Sequence, residues 1–246
     1  MRAVYGTRTL LLVALAVAAA ALTLAGNWPV TWPHAFWFWL VACVAGEVMW
    51  VKLPLGGATL SMASCFNYAA LLVLPRGEAL VATVLATILG EAVALRKPPV
   101  RVAYNASHTT LAVAAGSWVF STLANGNDNL VSLLAEFKLL PFLFSGLAYY
   151  AINRLAVVAA IASCERMSPA EAWRRNFGSG YEALSAGAIF SLGALLATHY
   201  QGIGMVGTLL VALPLLLACD GLRRFNRHHE TKPDAEAAPP RERDAA

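Results

Sequence analysis

Charge is scarce in this sequence: of 246 residues only 13% are Asp, Glu, Lys or Arg, about half the share usual in soluble domains. Hydrophobic residues make up 59% and the mean hydropathy is positive. The chain therefore has too little polar side chain for an ordinary water-soluble fold. The period-two alternation of membrane-spanning strands is also missing, as in LLLVALAVAAAALTLA, which excludes a β-barrel reading and leaves helices.

Catalytic signatures are lacking too. There is no Gly-x-Ser-x-Gly elbow, no HExxH, no phosphate-cradling loop and no pair of aspartates on one span, so no enzyme is expected and no cofactor is implied. The four cysteines, Cys43, Cys65, Cys164 and Cys219, lie in or at the ends of apolar runs without a CxxC pair or a His at ligand spacing. They read as small core residues, and no metal site is expected. The net charge of +4 comes from loops beside apolar segments, and nothing resembles a nucleic-acid-binding module.

What is present is a series of long apolar runs. About eight are candidate spans: 9 to 26, 35 to 51, 58 to 75, 78 to 95, 103 to 124, 139 to 162, 181 to 199 and 203 to 220. Most approach or exceed the length needed to cross roughly 30 Å of hydrocarbon at 1.5 Å per residue. Charges test the topology. Arg2 and Arg8, Lys52, then Arg96, Lys97 and Arg101, then Arg166, Arg174 and Arg175, and finally Arg223, Arg224 and Arg227 all fall on one side. Among the opposite stretches NWPVTWPH, PRGE, NGNDN and HYQGIG only Arg76 is basic. Short basic loops stay in the cytoplasm, so the expectation is an all-α, polytopic transmembrane bundle of about eight spans in the bacterial inner membrane, with both termini cytoplasmic and the lipid bilayer as first partner. Trp28, Trp32, Trp37 and Trp39 surround the first outer loop and read as an interfacial aromatic belt.

Residues 1–227 form the expected membrane domain. Residues 228–246, polar and rich in Pro and Ala, read as a disordered cytoplasmic tail. Residues 1–25 also match part of a signal-peptide pattern, which stands as a rival to a first span. Ser168 and Glu171 fit a capping box for a short inner-leaflet helix, PAEAWRRNF. Residues 127–138 read either as an interfacial helix or as the extended start of the sixth span.

Ionisable groups at membrane depth are costly and need partners. The candidates are Glu47, Glu91, His108, Arg154 and Glu182, with Asn67, Asn105 and Asn153 as neutral companions. Glu47 and Glu91 read as a structural ion pair or snorkelling carboxylates, or else as a polar pocket opening toward the cytoplasm. Asn105 and His108, three apart, share a helix face on which a neighbouring carboxylate can be met. Tyr149 with Asn153, and Tyr150 with Arg154, make two adjacent stripes at a spacing of four. Pro98 and Pro99 set an extended turn before Tyr104 and this polar face. Gly56 and Gly57, after Pro54, read as a tight turn, or as bare backbone for close approach to a ligand.

Four stretches together carry a family resemblance: KLPLGGATLSMASCFNYAALLVLP, RVAYNASHTTLAVAAGSWVF, YYAINRLAVVAAIASCERMSPAEAWRRNF and LLVALPLLLACDGLRRF. They resemble the bacterial membrane-associated sensor (MASE-type) domains found in front of HD-GYP phosphodiesterase and GGDEF cyclase domains. The resemblance covers most of residues 45 to 227. It implies a sensory or signal-relay module whose last helix passes a signal inward, with Gly56, Gly57, Ser61, Tyr104, Asn105, Asn153 and Pro214 at matched positions. Only a tail follows LRRF, so the output would be a separate cytoplasmic signalling protein. The layout also looks somewhat like the substrate-capturing subunits of energy-coupling-factor vitamin transporters, which implies a transport component. On either reading a small or lipid-like ligand binds between helices, and the candidate polar cluster is Glu47, Asn67, Glu91, Tyr104, Asn105, His108, Asn153 and Arg154.

Overall fold

The computed structural model describes residues 6–29, 31–52, 59–126, 129–178 and 180–230. Its architecture is all-α apart from one small hairpin. In chain order the elements are α1 (Thr7–Ala25), α2 (His34–Val48), β1 (Trp50–Lys52), β2 (Thr59–Ser61), α3 (Ala63–Val73), α4 (Arg76–Thr87) with a π-helical continuation (Ile88–Ala94), α5 (Pro99–Leu123), α6 (Leu130–Ala135), α7 (Leu140–Glu165), α8 (Pro169–Phe177) and α9 (Gly180–Glu230). Among the described residues, four helical runs are long and apolar enough to cross a membrane: α1, α4 with its π segment, α7, and Glu182–Gly221 within α9. Such lengths and compositions are those of a helical membrane protein.

Prolines set several helix starts. Pro99, Pro141 and Pro169 sit in the first turns of α5, α7 and α8, where the missing N–H costs nothing and φ is already helical. Ser168 caps α8 as expected, its hydroxyl accepting from the Glu171 N–H at 3.2 Å. At its far end α7 stops at Arg166 in the left-handed region, φ 55°.

α5 lies at the centre and packs against α7, α1, α4 and α3. Its Ser107 and Thr110 hydroxyls donate to carbonyls four residues back, at 2.7 and 2.6 Å, so they need no outside partner. Around it the core is built from Phe36, Trp39, Phe66, Tyr68, Leu80 and Tyr149, all fully buried. The Tyr68 hydroxyl ties α3 to α7, donating to the Phe142 carbonyl at 2.6 Å beside Ser145 Oγ at 2.9 Å.

α9 is two helices. Gly204, at φ 72° and ψ −168°, interrupts it in a conformation open essentially to glycine alone. Cys65 shows how the arms lie. A side chain at Gly193 would come within 2.7 Å of the Cys65 carbonyl, and Cys65 is also in electrostatic reach of Cys219. In a straight helix those 26 positions would span about 39 Å; the chain instead doubles back at Gly204. The break expected between the last two apolar runs, at HYQGIG, is thus a turn at the single residue Gly204.

Four expectations change. The second and third spans were set at 35 to 51 and 58 to 75, but α2 ends at Val48 and α3 starts at Ala63. Between them β1 and β2 pair antiparallel, Val51 opposite Leu60. An apolar count does not see that Trp, Val and Thr favour extended backbone and that Pro54 with the glycines breaks a helix. The turn at Gly56 and Gly57 lies outside the described residues. Trp39 is not part of the belt: it is fully buried, whereas Trp28, Trp32 and Trp37 are exposed. Cys164 is exposed, unlike the other three cysteines, because it falls on the open face of α7 near its end.

The segment after 126 resolves as a separate short helix. Asn129 caps α6 by accepting from the Ser132 N–H at 3.0 Å, and Leu130 and Leu133 are buried. Phe137, at φ 54°, then turns the chain into α7. Lys138 bonds to the exposed Glu136 carboxylate and holds it below the ordinary carboxylate range. α9 remains helical through Glu230, three residues into the expected tail; residues 231–246 lie outside the described set.

Candidate functional site

Two polar groupings form inside the bundle. The first is centred on Glu91, carried by the π-helical segment. Asn105 on α5 donates its amide to both Glu91 carboxylate oxygens at 2.8 Å, and Lys97 forms an ion pair with the same carboxylate. Lys97 reaches it because the loop folds back on the helix end: the Lys97 N–H donates to the Glu91 carbonyl at 2.9 Å, with Arg96 at φ 51°. The wider π turn rotates Glu91 inward, where it is 4% exposed. Such segments recur at functional sites.

Glu47 on α2 lies against this segment. Its carboxylate accepts from the Thr87 hydroxyl at 3.0 Å, and a side chain at Gly90 would come within 2.5 Å of its Cβ. The glycine allows α2 and the π segment to touch backbone to side chain. The two carboxylates are consequently in electrostatic reach of each other.

Deeper in the same region are buried groups without hydrogen-bond partners. Asn67 is fully buried, and neither its amide nitrogen nor its oxygen is bonded. The Tyr149 hydroxyl is likewise unbonded. Ser64 and Asn67 stand within hydrogen-bonding reach of it, and Glu47 and Cys43 within electrostatic reach. Buried polar groups are nearly always satisfied, which sets this concentration apart from the apolar core around it.

The second grouping joins α5, α7 and α9. Arg154 forms an ion pair with Glu182 and lies over the rings of Phe177 and Tyr150, at 4.9 and 5.4 Å from their centroids. His108 is in electrostatic reach of Arg154, stands 5.3 Å from the Tyr104 ring, and leaves Nδ1 without a partner. The Tyr104 hydroxyl donates to the Ala156 carbonyl at 2.6 Å.

The expected cluster is thus divided. Glu47, Asn67, Glu91 and Asn105 belong to the first group; Tyr104, His108 and Arg154 belong to the second. The carboxylate expected opposite the α5 face meets Asn105 but not His108. Asn153 is half-buried and, among the described residues, takes no part in the hydrogen bonds of either group. Thr87, Lys97, Tyr149 and Glu182 complete the two groups. Thr87 stands four residues before Glu91, a spacing that points at the same face, and Tyr149 was visible as half of a stripe. Lys97 had the look of an ordinary loop cation.

Beside the second group lies an apolar cavity of about 580 Å³ between α7 and the first arm of α9. Phe142, Gly146 and Tyr150 wall one side, Ala186, Gly187 and Phe190 the other, and Tyr68 forms the floor. Tyr150 and Ala183 mark the end nearest the Arg154–Glu182 pair. Among the described residues no set of His, Cys, Asp and Glu side chains is placed to hold a metal ion.

Compared with protein-family models, curated proteins and solved structures, the chain matches none.

Proposed function

We propose that this chain is a multi-pass protein of the bacterial inner membrane, crossing eight times with both termini in the cytoplasm, and that it serves as a sensory or signal-relay module. It binds a lipid-like ligand between helices without transforming it, and it acts on a separate cytoplasmic partner. The observation that carries this reading is the cavity between α7 and α9. Its volume falls within the range of small-molecule sites, its apolar lining suits an acyl or terpenoid body, and a fixed ion pair stands at its inner end.

The connectivity supports a relay. The first arm of α9 is a cavity wall, and the second arm returns from Gly204 to the basic stretch around Arg224. A ligand that binds one position of the first arm better than another shifts the balance between them, and the second arm carries that shift inward. The distribution of basic residues supports the topology, and the four quoted stretches support the sensory class.

Replacing Gly187, beside which the backbone is open, by Trp should fill the cavity. Native mass spectrometry of the protein taken from its own membranes should then show a bound lipid-like molecule in the wild type and its loss in Gly187→Trp. Equal retention in both would sink the reading.

A second reading, a transport component, is favoured by the polar group around Glu91. Under it Glu91→Gln abolishes uptake of the substrate, and unchanged uptake of every tested solute on deletion of the gene rules it out.

A further inference from the structure

The cavity leaves the buried groups around Glu47 unused, and their arrangement has its own chemistry. Glu91 is a matched carboxylate: a cation and an amide donate to it. Glu47 is not. Among the described residues its donor is the Thr87 hydroxyl, and the cation within its electrostatic reach, Lys97, is held by Glu91. An unmatched carboxylate inside a helix bundle, beside a second carboxylate, is an expensive arrangement. A carboxylic acid in the same place carries no charge and supplies an O–H donor.

Acceptors for that donor are nearby. Tyr149, 1% exposed, and Asn67, 0% exposed, come from α7 and α3, and both have oxygens without hydrogen-bond partners. The Tyr149 hydroxyl is in electrostatic reach of Glu47. Asn67 is in turn within hydrogen-bonding reach of Tyr149, so the two form one buried polar pair beside Glu47. From the elements packed around Glu47, the titratable and charged groups are Glu91 and Lys97 at the π segment, Tyr149 from α7, Cys65 from α3, and Cys43 one turn back on α2. The one cation in this set is already paired.

We propose that Glu47 is a proton-binding site at membrane depth, exchanging one proton with the cytoplasmic side past Glu91, Asn105 and the partly exposed Lys97, with Tyr149 and Asn67 as its inner hydrogen-bonding partners. The exchange is simple: hydronium gives a proton to the Glu47 carboxylate, leaving water and a neutral acid, and the reverse returns it. This does not depend on the ligand reading of the α7/α9 cavity.

The test uses the full-length protein in its native membrane and dicyclohexylcarbodiimide, an apolar reagent that attacks protonated carboxyls. The acid adds across a C=N bond, its proton passes to nitrogen, and the adduct rearranges to a stable N-acylurea that peptide mass spectrometry locates. The expected result is modification of Glu47 and not of Glu91, with a yield that declines as pH rises. Glu91→Gln removes the like charge and frees Lys97, so the decline should move to lower pH. Site assignment on the wild-type chain does not depend on how any variant folds. Absence of adduct at every pH, adduct on Glu91 in place of Glu47, or a yield at Glu47 that ignores pH would each overturn the proposal.

Discussion

Removing one partner of the Arg154–Glu182 pair should cost more than removing both. The side chains are 24% and 9% exposed, between a surface pair worth about 0–1 kcal/mol and a buried pair whose rupture costs about 3–5 kcal/mol. For Glu182→Leu the partial exposure of Arg154 reduces the upper figure. The Phe177 and Tyr150 rings under the guanidinium offset part of the rest, at about 0.5–1 kcal/mol per ring contact. A loss of about 2 kcal/mol remains, roughly a thirtyfold change in the folding equilibrium. Arg154→Met with Glu182→Leu leaves no unmatched charge and should lie within about 1 kcal/mol of the wild type. Unfolding by dodecyl sulfate in mixed micelles, followed by tryptophan emission, measures the wild type, Arg154→Met, Glu182→Leu and the double variant. A double variant no more stable than the sum of the single losses would refute the claim that the pair is buried as a unit.

Other consequences are equally direct. Gly90→Leu drives a branched side chain into Glu47 and should destabilise the α2 contact by at least about 1–3 kcal/mol in the same micelle assay. Tyr104→Phe deletes the bond to the Ala156 carbonyl and should cost about 1 kcal/mol, read as lowered thermal stability in detergent. Ser168→Ala removes the α8 cap for about 1 kcal/mol, and hydrogen exchange at Glu171 and Ala172 should speed up while α7 is unaffected. Reporters fused to either end should fluoresce as cytoplasmic fusions and show no periplasmic phosphatase activity; activity at one end alone would break the even-crossing topology.

Much of this arrangement can be read before folding, for reasons that differ element by element. The helix start at Pro169 and the Ser168 cap are local and legible from a few neighbouring residues. Pro99, which reads as part of an extended turn before a span at 103, instead opens α5, because the fixed φ of proline suits a first helical position as well as a turn. The Asn105 to Glu91 contact follows from the cost of burying a carboxylate, which demands a donor on an adjacent face. The Glu182 partner of Arg154 is 28 positions away in the chain and reads from sequence only as another costly charge, since pairing between helices depends on which faces meet. Trp39 shows the same limit. Hydropathy places a tryptophan near the interface but does not say whether it faces lipid or the next helix. The β1–β2 pairing escaped because its apolar residues were counted as a continued run, and side-chain hydropathy carries no record of backbone breaks.

α5, the central helix, has a further consequence for biogenesis. It is 25 residues long, enough to cross, yet it is not among the four runs apolar enough to do so unaided. Ser107, His108, Thr109, Thr110 and Ser117 are buried along it. A segment of this kind released alone into lipid gains little from staying there, so its retention has to await the neighbours that shield it. Nascent chains cut before α7 should shed this segment to quality-control proteases, whereas chains extended past Glu165 should keep it. The helix that the others pack around is thereby among the last to become secure.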